Sequence, residues 1–205
     1  DRLERSTFFG SNYNRGENIS YSSAAAFLRI PEDSDYPLDD DGIRELYIIS
    51  QNYTSFKAMD INMTETGYYK FSPDGRYFFI IEEMDDTNNT GELYRYTVGP
   101  DSLKDKTKIC DEVSQFFAYS EDAVTMQYTD DETIMGFYTD EKFYIISEEA
   151  GSRYQYFRDS LYYFDDYSNK NGTGTLMKFK NGKTQKIDTD VYDIFVRSED
   201  DIVYI

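Results

Sequence analysis

An all-β chain assembled from repeated four-stranded units is the fold class the sequence predicts, on three observations. A turn motif recurs with its aspartates at positions 74, 122, 159 and 200, spacings of 48, 37 and 41. A second marker runs in phase with it: Glu45-Leu46-Tyr47-Ile48-Ile49, Glu92-Leu93-Tyr94-Arg95-Tyr96, Thr133-Ile134-Met135-Gly136-Phe137 and Thr175-Leu176-Met177-Lys178-Phe179, at intervals of 47, 41 and 42. The segments between turns are rich in aromatic and β-branched residues, and none carries the period of a long helix. Two independent markers with one period of about 40 to 45 residues define a repeat of the size of a β-propeller blade.

Each unit reads strand, tight turn, strand, acidic loop, strand, short turn, strand. The first runs from about Asn18 to Asn62 and uses Tyr21-Ser22-Ser23-Ala24 in place of the turn aspartate. The second, Thr66 to Glu112, holds the best-formed hairpin, FSPDGRYFFII from Phe71 to Ile81. There Pro73 presets φ at the second turn position, Asp74 suits the third, and Gly75 accepts the left-handed conformation that follows, which predicts a loop of three to five residues. The third unit, Ser114 to Glu149, repeats the turn as Tyr119-Ser120-Glu121-Asp122. The fourth, Ser152 to Asp190, repeats it as Tyr156-Phe157-Arg158-Asp159. A fifth begins at Tyr192, turns at Arg197-Ser198-Glu199-Asp200 and reaches Ile205 after two strands. Lys108-Ile109 before Val113 and Lys186-Ile187 before Val191 mark the approach to the third and fifth units. Residues 1–205 therefore read as a single β-propeller domain or a propeller fragment, with four complete blades and a partial one. Five blades result if Ser6-Thr7-Phe8-Phe9-Gly10 joins the last sheet; otherwise the chain is part of a larger propeller. An antiparallel sandwich or barrel with hairpins of similar length is the competing architecture.

On these residues the chain resembles the SPDG repeats of TolB-like propellers. Phe71-Ser72-Pro73-Asp74-Gly75 carries that motif whole, and the other copies keep Ser and Asp or Asp alone. The units are also similar to propeller-like domains, rich in Tyr and Asp, of surface proteins in Gram-positive bacteria. The resemblance implies a fold and an extracellular or cell-surface setting, and it assigns no activity, because propellers host many. With no Trp and no His, the Trp-Asp and Gly-His signatures of another large propeller family are absent, as are the paired glycines of the kelch type.

Composition narrows the chemistry. Lys and Arg number 21 against 40 for Asp and Glu, a net charge of −19, and a field of that sign repels nucleic-acid backbones and anionic lipid surfaces. No run approaches the roughly 18 apolar residues of a membrane span, and Asp1-Arg2-Leu3-Glu4-Arg5 is not a signal peptide, so any targeting or anchoring segment is expected outside this chain. Cys110 is the single cysteine. Asn52-Tyr53-Thr54 fits the glycosylation pattern. Without His, neither a Ser-His-Asp nor a Cys-His nucleophile system can be assembled, and a cysteine-only zinc site needs more than one Cys.

Carboxylate chemistry stays open, since glycoside cleavage requires only two acids about 5 to 10 Å apart. The expected innermost strands, NISYSS, GYYKFS, QFFAYS, RYQYFR and YDIFVRS, carry Asp193 as their one acid. Acids concentrate instead in Glu32-Asp33-Ser34-Asp35, Asp39-Asp40-Asp41-Gly42, Asp85 to Gly91 and Asp165-Asp166. Asp86, Asn88 and Thr90 alternate before Gly91 like the first half of a calcium loop, but Thr97 stands where the twelfth-position acid belongs. That trio is the candidate metal site, with calcium the one cofactor considered and a solvated turn the competing reading. The aromatic runs Tyr68-Tyr69, Phe116-Phe117, Tyr154-Gln155-Tyr156 and Tyr162-Tyr163-Phe164 are expected to pack between blades, or to offer a recognition surface where they are exposed. The expectation is a non-enzymatic extracellular bacterial module that binds a protein or a glycan through one rim, not nucleic acid, without inserting in a membrane. A carboxylate glycosidase or lyase and a structural spacer are the alternatives.

Overall fold

The computed structural model describes residues 25–29, 43–49, 55–62, 66, 68–85, 87–119, 124–129, 133–150, 154–168, 170–198 and 201–205. The turn at Tyr21–Ala24, the Ser6–Gly10 segment, the acidic runs 32–35 and 39–42, and the turn copies at 120–123 and 199–200 lie outside them. Every described element is a strand, all paired antiparallel. The first sheet holds β1 (Ala25–Arg29), β2 (Ile43–Ile49) and β3 (Ser55–Asn62). A seven-stranded sheet follows, with β4 (Tyr69–Phe71), β5 (Tyr77–Asp85), β6 (Thr90–Val98), β7 (Leu103–Ala118), β8 (Val124–Thr129), β9 (Thr133–Thr139) and β10 (Lys142–Ser147) in chain order across it. β11 (Tyr154–Phe157), β12 (Ser160–Ser168), β13 (Thr173–Lys180) and β14 (Lys183–Val191) form a four-stranded meander, and β15 (Ile194–Ser198) pairs with β16 (Asp201–Tyr204).

The boundary expected between Glu112 and Ser114 falls inside β7. Residues 103–113 of that strand pair with β6, and residues 113–118 pair with β8. Glu112 has a φ of 56° and bends the strand there, so two four-stranded units share one strand and count as seven. Asp190, with a φ of 55°, stands at the matching place, and Val191 pairs with Gly174 as Val113 pairs with Gly91. A kink that sequence spacing cannot display thus recurs at the ends of the second and fourth units.

The hairpins differ in the same informative way. Ser72 to Arg76 is the five-residue loop expected: the Gly75 N–H donates to the Ser72 carbonyl at 2.9 Å, and Gly75 has a φ of 72°. The supposed copy at Arg158-Asp159 is instead a two-residue turn with both φ positive, 41° and 59°, as are Asp140-Glu141 and Asn181-Gly182. Positive φ at both central positions is the type I′ geometry whose twist matches that of the flanking strands.

Side-chain alternation explains how the sheets stack. β5 buries Phe78 and Ile80 against Leu46, Ile48 and Ile61 of the first sheet. Its other face buries Phe79 and Ile81 against Phe116, Ala118, Val124 and Tyr138 of the next unit. Likewise Leu161 and Tyr163 of β12 pack on Met135, Phe137 and Ile146, while Tyr162 and Phe164 meet Ile194 and Val196. A strand buried on both faces needs an uninterrupted apolar run, which is why YFFII and LYYF lack polar alternation. Each large side chain removed from water contributes roughly 1.5–3 kcal/mol.

Candidate functional site

The strands expected to be innermost, β4, residues 113–118 of β7, β11 and β15, carry a row of contacts from one to the next. On β4, Tyr69 and Phe71 turn back onto the Phe78 ring, at 5.8 and 5.1 Å between centroids. Lys70, alternating with them, points forward, its Nζ 4.1 Å from the centroid of Phe117 in the next unit. Phe117 meets Tyr154 of β11 edge-on at 5.8 Å, and Tyr119 stacks on Tyr156 at 5.0 Å with 26° between planes. From β11, the Gln155 amide reaches β15 as a second backbone would: its Nε2 donates to the Ile194 carbonyl at 3.3 Å and its Oε1 accepts the Val196 N–H at 2.9 Å. Lys70, Phe117 and Gln155 thus each cross to the following unit.

None of β4, residues 113–118 of β7, β11 or β15 contains an aspartate or glutamate. Burial pushes the Lys70 amine below its ordinary pKa. It pushes the Tyr119 phenol well above its usual value and Tyr154 up to about 12, so both phenols stay neutral at physiological pH. Asp193, the acid expected on an innermost strand, precedes β15, and its carboxylate accepts the Ile194 N–H at 2.9 Å, so it caps the strand start. Tyr68 is different from the packed aromatics. Its carbonyl accepts the Ile81 N–H at 3.0 Å, which keeps the chain in the ladder, while its side chain is 61% exposed.

A second concavity lies beside the outermost strand of the third unit. A cavity of about 400 Å³ is lined by Ile145, Ser147, Glu148, Glu149, Asp165 and Asp166, among others. The Ser147 hydroxyl donates to Asp165 Oδ1 at 2.5 Å, the Tyr167 N–H to the Glu149 carbonyl at 3.1 Å, and the Tyr163 hydroxyl to the Ile146 carbonyl at 3.0 Å. These bonds fasten the end of β10 to β12, so two of the polar groups around the cavity already serve the joint between units.

The calcium candidate lies partly outside the described residues. Asp86 lies outside them, Thr90 is buried at the start of β6, and Asn88 is exposed with its Nδ2 donating to Asp85 Oδ2 at 3.3 Å. Asp85 organises the loop: its Oδ1 accepts the Thr87 N–H at 2.8 Å and its carbonyl the Asn89 N–H at 2.7 Å. In the fourth unit the Gly172 N–H donates to the Ser168 carbonyl at 2.8 Å in the same way, closing the turn. Among the described residues no cluster of three or more metal-ligating side chains occurs. Lys70 and Gln155 carried no motif; the one signal for Lys70 was a cation inside an aromatic strand, Tyr-Tyr-Lys-Phe.

No protein-family model matches the chain, and no curated protein matches it. Among solved structures it is similar to the β-propeller domain of the Trilobed protease from Pyrococcus furiosus, a propeller of open velcro topology. The two share 12% identity and a TM-score of 0.50, over 83% of this chain and 55% of that one. The acylaminoacyl peptidase of Pyrococcus horikoshii aligns at 10% identity and a TM-score of 0.49, over 84% of this chain and 31% of the peptidase. The chain spans about half the length of the first of these. Its fold is that of a β-propeller, with antiparallel blades stacked face to face.

Proposed function

We propose that this chain is a non-enzymatic recognition module of an extracellular bacterial surface protein, and that it takes a protein or glycan at the rim formed by its innermost strands. The observation that carries this reading is the exposed Tyr68 beside Lys70, backed by the packed row Phe117, Tyr154, Tyr119 and Tyr156: an aromatic ring and a cation at one rim, with no carboxylate in its strands to act as acid, base or nucleophile. Aromatic side chains supply recognition area at low entropic cost. Arrays of defined glycans and of synthetic peptides test it, with aryl glycosides as turnover substrates in parallel. Retention of one ligand class without glycoside turnover is the expected result.

A carboxylate enzyme has one observation in its favour, the four acids at the 400 Å³ cavity. Glycoside turnover that Asp165→Asn or Glu149→Gln abolishes, with the array blank, would replace the binding reading by this one.

A further inference from the structure

Tyr68 directly precedes β4, its carbonyl bonded to the Ile81 N–H, and Lys70 is the second residue of β4, so the two stand at alternate positions about 6.5 Å apart along the chain. Tyr68 presents an exposed ring, and Lys70 presents an ammonium that rests on the face of Phe117. The chain holds 40 acidic residues against 21 basic ones, yet Lys70 has no carboxylate partner among the described residues. Lys57, Lys106 and Lys108, by contrast, each meet at least one carboxylate within 2.8 Å. A half-buried cation with no carboxylate beside it among the described residues keeps its charge free to meet an external anion. The net charge does not decide the matter locally, because at physiological ionic strength charges more than about 8 Å away are largely screened. Locally the four innermost strands hold no acid at all.

Resting on the reading of this rim as a binding surface, we propose that Tyr68 and Lys70 form a subsite for an acidic glycan, one whose sugar bears a carboxylate. The Tyr68 ring takes the apolar face of the sugar, and the Lys70 ammonium donates hydrogen bonds to the carboxylate. Phe117 holds the lysine in place from behind. A peptide fits less well: β4 is the terminal strand of its sheet but only three residues long, too short an edge for an added strand to pair along.

Isothermal titration of the whole chain with hexagalacturonate, with the neutral maltohexaose, and with a hexapeptide bearing a free C-terminal carboxylate tests the assignment. The acidic hexasaccharide should bind and the neutral one should not. Lys70→Gln should weaken the acidic ligand about tenfold or more, the loss expected for a hydrogen bond between charged groups. Tyr68→Ala should weaken it as well, and Lys70→Arg should bind it within about threefold of wild type, since the charge is kept. Circular dichroism checks that each variant is folded, and the exposed Tyr68 offers a variant that leaves the packed Lys70 intact. Equal binding of both hexasaccharides, or binding indifferent to Lys70→Gln, overturns the acidic subsite and leaves the recognition reading standing. Binding of the peptide alone overturns the glycan assignment, and silence from all three ligands together with glycoside turnover overturns both.

Discussion

Ser72 is fully buried, and its hydroxyl is shared between two tasks: it donates to Asp74 Oδ1 at 2.5 Å and accepts the Tyr77 N–H at 3.0 Å. Ser72→Ala leaves that N–H without its side-chain partner and should cost about 1–2 kcal/mol by urea denaturation. Burial opposes ionisation of Asp74, but the bonds from Ser72 and Arg76 outweigh it and hold its carboxyl below the usual value of 3.8. A depressed folded pKa gives stability that is present above the unfolded pKa and lost as pH falls through the folded one. The hairpin's contribution should therefore fade below about pH 4, and Asp74→Asn should flatten that part of the acid-unfolding curve. Pro73 and Gly75 were legible in sequence because each acts through its own backbone. Asp74 was legible as a turn residue and Lys70 not as a site, because the ring that Lys70 meets, Phe117, stands 47 residues further along the chain. Gly91 records another approach invisible in sequence: a Cβ there would sit 2.6 Å from the Glu82 carbonyl oxygen and 2.7 Å from Ile81 Cγ2. Gly91→Ala should destabilise by about 1–3 kcal/mol, measured the same way.

At the scale of the strand, the Gln155 amide ties β11 to β15, adding side-chain bonds to the apolar contact that Ile194 and Val196 make with the fourth blade. Gln155→Ala should raise amide hydrogen exchange at Val196 selectively, leaving β5 and β12 protected, because local opening follows local bonding. Behind it on β12, the Ser160 and Tyr162 hydroxyls are buried with no hydrogen-bond partner among the described residues. Tyr162→Phe keeps the ring that Lys178 faces at 5.4 Å and removes a desolvated hydroxyl, so stability should hold or rise by up to about 1 kcal/mol on thermal melting. Strand existence and order could be read from the two in-phase markers because apolar runs buried on both faces leave no other use for YFFII or LYYF. Loop type could not: whether a turn needs two residues or five depends on pairing register, and Arg158-Asp159 resembles the longer loop in letters only.

For the molecule as a whole, a net charge of −19 makes self-repulsion the electrostatic term of longest reach. Screening it should stabilise the fold, so the melting temperature should climb between about 10 and 500 mM sodium chloride while the short ion pairs at Lys57 and Lys108 contribute little either way. The propeller architecture was legible from one repeat period seen twice; the sharing of a strand between blades was not, since a bend at one left-handed residue has no signature in spacing. That shared strand has a mechanical consequence. Tension along the backbone at Glu112 meets no slack loop: it loads the ladder to β6 on one side and the ladder to β8 on the other at once. The second and third blades are therefore loaded together, and severing the chain between Glu112 and Val113 would uncouple them while leaving one half paired with β6 and the other with β8.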